Sequence, residues 1–328
     1  MVLDYVDLFA GPGGWDVAAR ALGLQGLGVE YDDAACATRR AAGLPTHQGD
    51  VAKLRPDHFP ARVLIASPPC QTFSISGKGQ GRAALDDVLL AMAQVAAYGA
   101  TATIFADERT GLVVEPLRWA EAMMAAGDPY EHIVLEQVPT VKPVWEAMAG
   151  HLQAMGYQTA VLSLHSEQYG VPQTRNRAVL LARLEAAPVL PVATHSHYHK
   201  RQPAKMDPGV LPWVSMAAGL GWTDVAGEYT RREMNQSGNV FDPMWPTKRP
   251  ALTIAGRQLV PMPGTTANAV NGSTKSRNDG LWVDVWEAGV LQSFPADYPW
   301  QGSKSKQIEQ VGNAVPPGMA RAVLQTVL

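Results

Sequence analysis

Cysteine is scarce in this chain, with two among 328 residues. Neither sits in a metal-type Cys spacing, which excludes a disulfide framework and a structural zinc module, and points to a reducing setting. No apolar run approaches the ~20 residues that a membrane span requires. The opening stretch, MVLDYVDLF, has no basic region ahead of an apolar core, so no secretory signal is expected and a cytoplasmic location is. The chain also lacks a strong charge of either sign: 27 Lys and Arg stand against 30 Asp and Glu, a net −3. It lacks the Gly-x-Gly-x-x-Gly fingerprint and a P-loop lysine, which disfavours dinucleotides and nucleoside triphosphates. There is no internal repeat and no low-complexity tract.

What is present is core material. Hydrophobic residues make up 46% and charged residues 17%, as in a soluble globular protein of one large or two smaller domains. The near-neutral total hides an asymmetry. Through Ala182 there are 13 basic and 19 acidic residues; from Arg183 onward there are 14 and 11. A polyanionic partner would therefore meet mainly the second part.

The first part alternates in period. Tyr5 to Phe9, Gly26 to Tyr31, Val63 to Ala66, His132 to Glu136, Tyr157 to Leu164 and Ala178 to Ala182 read as strands. Gly14 to Leu22, Asp33 to Ala42, Ala83 to Ala97, Leu112 to Ala126 and Val141 to Met155 read as helices. Such alternation predicts an open parallel sheet with helices on both faces, and ligands in such sheets bind at the carboxyl ends of the strands. From about Ala187 to Gly280 the periodicity fades into Pro, Gly, Thr, Asn and scattered basic pairs. Trp213, Trp222, Phe241 and Trp245 supply core material there, so this stretch reads as a second, irregular domain. Regular structure returns at Trp282 to Leu291 and Val315 to Val327.

Five motifs follow predicted strands or precede the last helix. In Ser67-Pro68-Pro69-Cys70-Gln71-Thr72-Phe73-Ser74, two prolines stiffen the approach to a lone thiol. A free cysteine is more often an inert apolar residue, but a thiolate so held suits covalent catalysis. Asp7-Leu8-Phe9-Ala10-Gly11-Pro12-Gly13-Gly14-Trp15 takes a buried strand through a glycine turn into a helix, whose N-terminus favours an anionic group. Glu30 ends the next strand, roughly 20 residues on, where an acid commonly binds ribose hydroxyls; Asp50 is a similar candidate for an adenine amino group. Together they favour an adenosine-containing cofactor without a pyrophosphate. Glu136, at another buried strand end, could donate a proton. Arg175 and Arg177, two apart in an extended segment, could bind a phosphate or a base edge. Asn313, in Gln310-Val311-Gly312-Asn313-Ala314-Val315-Pro316-Pro317, could cap a turn or touch a ligand.

In this order, the five resemble the DNA (cytosine-5)-methyltransferase family. DLFAGPGGW is similar to its cofactor loop, SPPCQTFS to its nucleophile loop, EQV to its Glu-Asn-Val element, QTRNR to its Gln-x-Arg-x-Arg element and QVGNAVPP to its closing motif. The resemblance implies an α/β fold with an S-adenosylmethionine-dependent methyltransferase (Rossmann-like) domain over residues 1–186. It also implies a smaller irregular target-recognition domain over 187–280, and a segment, 281–328, that returns to the catalytic domain. It implies methyl transfer from S-adenosylmethionine to C5 of a cytosine flipped out of double-stranded DNA. Cys70 would attack C6, Glu136 would hold or protonate N3, Arg177 would contact O2, and Arg175 would assist it or meet the DNA backbone. Phe9, Gly11, Gly13, Gly14, Glu30, Tyr31, Asp50 and Asn313 would line the cofactor site, with Phe9 stacked on the adenine. The expected form is a monomer in the cytoplasm of a bacterial or phage-infected cell, with a cognate restriction endonuclease acting separately.

Three departures stand out. Gln137 replaces the family's Asn, a segment of about Arg82 to Phe105 follows the nucleophile loop, and the recognition region is short. The segment would enlarge the loop that closes over DNA. His195, His197 and His199 alternate along one stretch; polar residues at a domain boundary or phosphate contacts are favoured there over metal ligands, and no metal is required for the chemistry. Rival readings are an RNA (tRNA) cytosine-5 methyltransferase, an inactive DNA-binding regulator on the same scaffold, and use of an unusual alkyl donor.

Overall fold

The computed structural model describes residues 3–69, 86–92, 111–222, 228–230, 233–234, 240–241, 244–246, 248–256 and 283–327. The chain divides into two compact units. Unit 1 comprises residues 1–165, 176–192 and 320–328; unit 2 comprises 166–175 and 193–319. The sequence reading drew its boundaries at 186 and 280. The observed division instead sends a ten-residue excursion, 166–175, into unit 2.

Unit 1 is built on a seven-stranded sheet: β1 (Leu3–Leu8), β2 (Gly26–Glu30), β3 (Thr46–Gln48), β4 (Ala61–Ala66), β5 (His132–Gln137), β6 (Tyr157–His165) and β7 (Asn176–Leu184). Their spatial order is β3-β2-β1-β4-β5-β7-β6. β1 through β5 run parallel, and the order reverses between β1 and β4. That reversal is where a ligand crevice opens in this class of sheet. β1 and β4 each bury a continuous run, apolar but for Asp7 in β1, as strands covered on both faces do. The helices α1 (Gly14–Ala21), α2 (Asp33–Ala41), α3 (Glu115–Ala125) and α4 (Lys142–Ala154) fall between strands. The core gathers Val6, Leu8, Leu64, Leu135, Trp119 and Trp145.

The expected all-parallel sheet needs one correction. β7 lies antiparallel to both β5 and β6. A parallel return requires a crossover of a dozen or more residues, usually helical. Only residues 166–175 separate β6 from β7, and they hold a single short 3-10 turn, Ser166–Tyr169. The predicted helix at Ala83 to Ala97 and the added segment at 82–105 lie outside the described residues, except that 86–92 are helical.

Among its described residues, unit 2 carries α5 (Met216–Gly219), two short antiparallel strand pairs, α6 (Val285–Leu291) and α7 (Lys304–Asn313). The last helix, α8, spans Pro317–Leu324. Phe294, Tyr298 and Trp300 form an aromatic cluster with centroids 4.7 to 5.0 Å apart. α6 opens with a capping box between Asp284 and Glu287.

Candidate active site

The site of unit 1 lies at the carboxyl ends of its parallel strands. Beyond β1 the backbone is forced into unusual geometry. Phe9 has φ 59°, and Gly11 and Gly13 have φ 54° and 101°. Glycine adopts such angles freely; for an aromatic residue they store strain, which clusters at functional sites. Gly13 is the N-cap of α1 and supplies no side-chain cap, so the first turn starting at Gly14 keeps its donors for an anionic group.

Glu30 ends β2. Its Oε1 accepts from the Tyr31 and Asp32 backbone N–H groups and its Oε2 from Gly11, each at 2.7 Å. Roughly four acceptor positions exist on a carboxylate, so one remains for a hydroxyl. Glu30 therefore braces the glycine turn as well as facing a ligand. Tyr31 beside it is 74% exposed, an aromatic face left to solvent. Asp50 follows β3, accepts from Ala52 N at 3.1 Å and pairs with Lys53 at 3.1 Å. These residues offer an aromatic face, a hydroxyl acceptor and capping donors, a set that fits an adenosine carrying a charged tail.

Beneath the turn is a buried ionic knot that the sequence reading did not find. Arg39 of α2 grips Asp16 of α1 with two bonds, 2.6 and 2.9 Å, and donates to Ala10 O at 3.4 Å and Pro45 O at 3.1 Å. Tyr5 donates to Asp16 at 3.0 Å. Asp7 is fully enclosed, and its pKa is pushed well above the carboxylate range, chiefly by burial and then by the charge of Asp16. An acid inside an otherwise apolar strand was the available signal.

Glu136 and Arg177 meet at the end of β5. Arg177 Nε lies 2.8 Å from Glu136 Oε1, both side chains nearly buried. The antiparallel register puts Ala178 opposite Gln137 and Val179 opposite Glu136, so the start of β7 arrives at the end of β5. Burial lowers the pKa of the guanidinium; the carboxyl beside it works in the opposite direction. Between this pair and the glycine turn lie Ser67, Pro68 and Pro69, the exit from β4. Cys70 itself lies outside the described residues. Cys36, by contrast, is buried in α2 with its thiol pushed up to about 11, mainly by burial, and is no nucleophile.

Arg175 belongs to unit 2, and its side chain bonds backbone carbonyls. The residue is 2% exposed, and its Nη1 donates to Ile254 O at 3.2 Å and Gly312 O at 2.9 Å. Gln173 works alongside it, donating to Leu291 O at 3.2 Å and accepting from Ile254 N at 2.9 Å. Asn313 is the exposed last residue of α7 and does not precede the last helix directly. The rings of His197 and His199 meet edge to face, 5.1 Å apart, but the three histidines take different polar partners. His195 pairs with Thr194 at 2.9 Å, His197 with Glu167 at 2.9 Å and His199 with Asp207 at 2.8 Å.

Comparison with known proteins gives a consistent answer. The chain matches the C-5 cytosine-specific DNA methylase family over residues 3–95, 104–242 and 283–328. It is 27% identical to the type II methyltransferase M1.HphI of Haemophilus parahaemolyticus over 359 aligned positions, covering 100% of this chain and 87% of that one. It is 26% identical to M.AplI of Arthrospira platensis, covering 98% and 84%. Among solved structures, the Dnmt2 methyltransferase of S. pombe superposes with a TM-score of 0.64 at 16% identity, covering 99% of this chain and 98% of that one. A putative DNA modification methyltransferase encoded within an E. coli prophage superposes at 0.56 and 15%, with the same coverage. At such identities the structural likeness speaks for the fold.

Proposed function

Because the chain belongs to the C-5 cytosine-specific DNA methylase family, and is thereby a DNA (cytosine-5)-methyltransferase, we propose a covalent route for its reaction, with Cys70, Glu136 and Arg177 as catalytic residues. The observation that carries this reading is the Glu136–Arg177 pair, 2.8 Å apart and nearly buried, at the strand end next to the exit toward Cys70. Cytosine C5 is too weak a nucleophile to take a methyl group unaided, and covalent catalysis divides the difficulty. The Cys70 thiolate forms a bond to C6, and the electron pair of the C5–C6 double bond moves toward C4 and N3. Glu136 delivers its proton to N3 as that charge develops. Arg177 directs N–H groups at O2, fixing the ring edge and stabilising the same charge. C5 then carries the nucleophilic electron pair. When bound, S-adenosylmethionine supplies the electrophilic methyl group. Loss of the C5 proton to a base, departure of Cys70 as thiolate and return of the N3 proton to Glu136 restore the aromatic ring and the acid.

A base inside a duplex cannot reach these groups, so the cytosine is flipped out of the stack. Phe9, Gly11, Gly13, Gly14, Glu30, Tyr31 and Asp50 would hold the adenosine and the charged tail. Arg175 acts as scaffold to unit 2. The type II relatives support a place in restriction–modification, with an endonuclease as a separate protein.

The test is trapping on duplex DNA that carries 5-fluorocytosine, whose C5 fluorine cannot leave as a proton does. A covalent adduct that requires S-adenosylmethionine and is lost in Cys70→Ala supports the reading. No adduct, or one that survives that substitution, refutes it.

A further inference from the structure

We infer that Trp15 and Gln137 are positioning residues that tether the start of the nucleophile segment from both sides. The inference rests on Cys70 as the proposed nucleophile. Beyond Ser67, whose N–H donates to Leu8 O at 3.2 Å, the strand ladder cannot continue. Pro68 and Pro69 have no N–H to give. Whatever anchors this exit must therefore bond to its acceptors, and the two foremost acceptors are both taken by side-chain donors. The indole Nε1–H of Trp15 donates to Ser67 Oγ at 3.1 Å. The amide Nε2 of Gln137 donates to Pro68 O.

The two donors come from different parts of the machinery. Trp15 is the second residue of α1, directly after the glycine turn, and is 2% exposed. Gln137 directly follows Glu136 and closes β5, which lies beside β4 in the sheet. Its Oε1 accepts from Val138 N, so the amide is engaged at both ends and its orientation is set by the network. The cofactor helix and the strand that carries the acid thus hold adjacent residues, 67 and 68, three and two positions before the thiol. Misplacement of a reacting group by about 1 Å can cost on the order of 10²-fold in rate, and two proline-stiffened residues would transmit any tilt at their base. Phenylalanine at position 15 would fill the same space without a donor. The Gln in place of the family's Asn is, on this reading, a working part of the tether.

The experiment uses the full chain with Trp15→Phe, Gln137→Met, Gln137→Glu and Ser67→Ala. Adduct formation on 5-fluorocytosine DNA is timed, and cofactor and DNA affinities and the thermal midpoint are measured alongside. Loss of one such bond is expected to slow the adduct roughly three- to tenfold in Trp15→Phe and Gln137→Met, with both affinities and the midpoint near wild type. Gln137→Glu is expected to be slower than Gln137→Met, because a carboxylate then faces the Pro68 carbonyl. Ser67→Ala added to Trp15→Phe costs nothing more, since both break one bond. A role in packing alone predicts wild-type rates for Gln137→Met and Gln137→Glu; that result, or losses that merely track cofactor affinity, overturns the inference. Alkylation of Cys70, timed against buried Cys36 in the same sample, reads the tether without catalysis. If wild type forms no adduct, the nucleophile assignment fails, while an altered Cys70 alkylation rate in the variants still supports the tether and an unaltered one refutes it.

Discussion

Unit 1 satisfies its backbone with a seven-stranded ladder, and so can leave side chains at the strand ends for chemistry. Among the described residues of unit 2 ladders are few, and side chains take over the work: Gln173, Arg175 and Gln292 bond the carbonyls of Ile254, Leu291, Val311 and Gly312. Arg175 and Arg177 fall on opposite sides of this divide, though only Asn176 separates them. Arg177 faces a carboxyl group; Arg175 faces carbonyls. On the proposed mechanism the same residue type, two positions on, passes from scaffold to reagent because the surrounding backbone has different needs.

The largest expected effect tests the reagent side. Glu136→Gln keeps shape but removes the transferable proton, and should lower methyl incorporation into DNA by about 10²- to 10⁴-fold with little change in thermal midpoint. A near-normal rate would remove Glu136 from the mechanism. Next is the scaffold side. Arg175→Met strips the bonds from two enclosed carbonyls, and each orphaned group costs about 1–3 kcal/mol, so a stability loss of roughly 3 kcal/mol should appear in denaturant titration. If Arg175→Met instead leaves stability intact and abolishes turnover, the contrast between the two arginines collapses.

Smaller in size is a pH effect within unit 2. Burial raises the Glu167 pKa to about 7 from an ordinary 4.5, while burial and the neighbouring His199 lower that of its partner His197. Protonated Glu167 is thus the form that suits the folded state. Its contribution is complete below about 4.5, declines as the unfolded chain ionises first, and is gone above about 7, a span worth at most about 3 kcal/mol. Stability measured across that window should fall with rising pH, and Glu167→Gln should flatten the slope. The smallest effect is Asp284→Ala, which removes the capping box of α6 and should cost about 1 kcal/mol in the same titration.

Much of unit 1 was legible because its central strands are mostly apolar runs with punctuation after them. The glycine turn, Glu30 and Glu136 announced themselves by place. The direction of β7 did not, since a strand reads the same either way; only the brevity of 166–175 signalled it. α7 was missed because Lys304–Asn313 buries only Ile308, Gln310, Val311 and Gly312 in a polar sequence, although Ser303 stood ready as its cap. The tethers of Trp15 and Gln137 span 52 and 69 residues, and a single sequence holds no local trace of such bonds.

The antiparallel seat of β7 makes the ladder a ruler for the reaction. The distance from carboxyl to guanidinium is counted out in hydrogen-bonded pairs from Val134↔Leu181 to Gln137↔Ala178. Side chains alternate faces along a strand, so a single-residue insertion between Arg177 and Ala178 would turn the guanidinium to the other side of the sheet. Such a chain could keep its core and its other bonds and still be chemically mute. Length, and not composition, is what this stretch of sequence has to conserve.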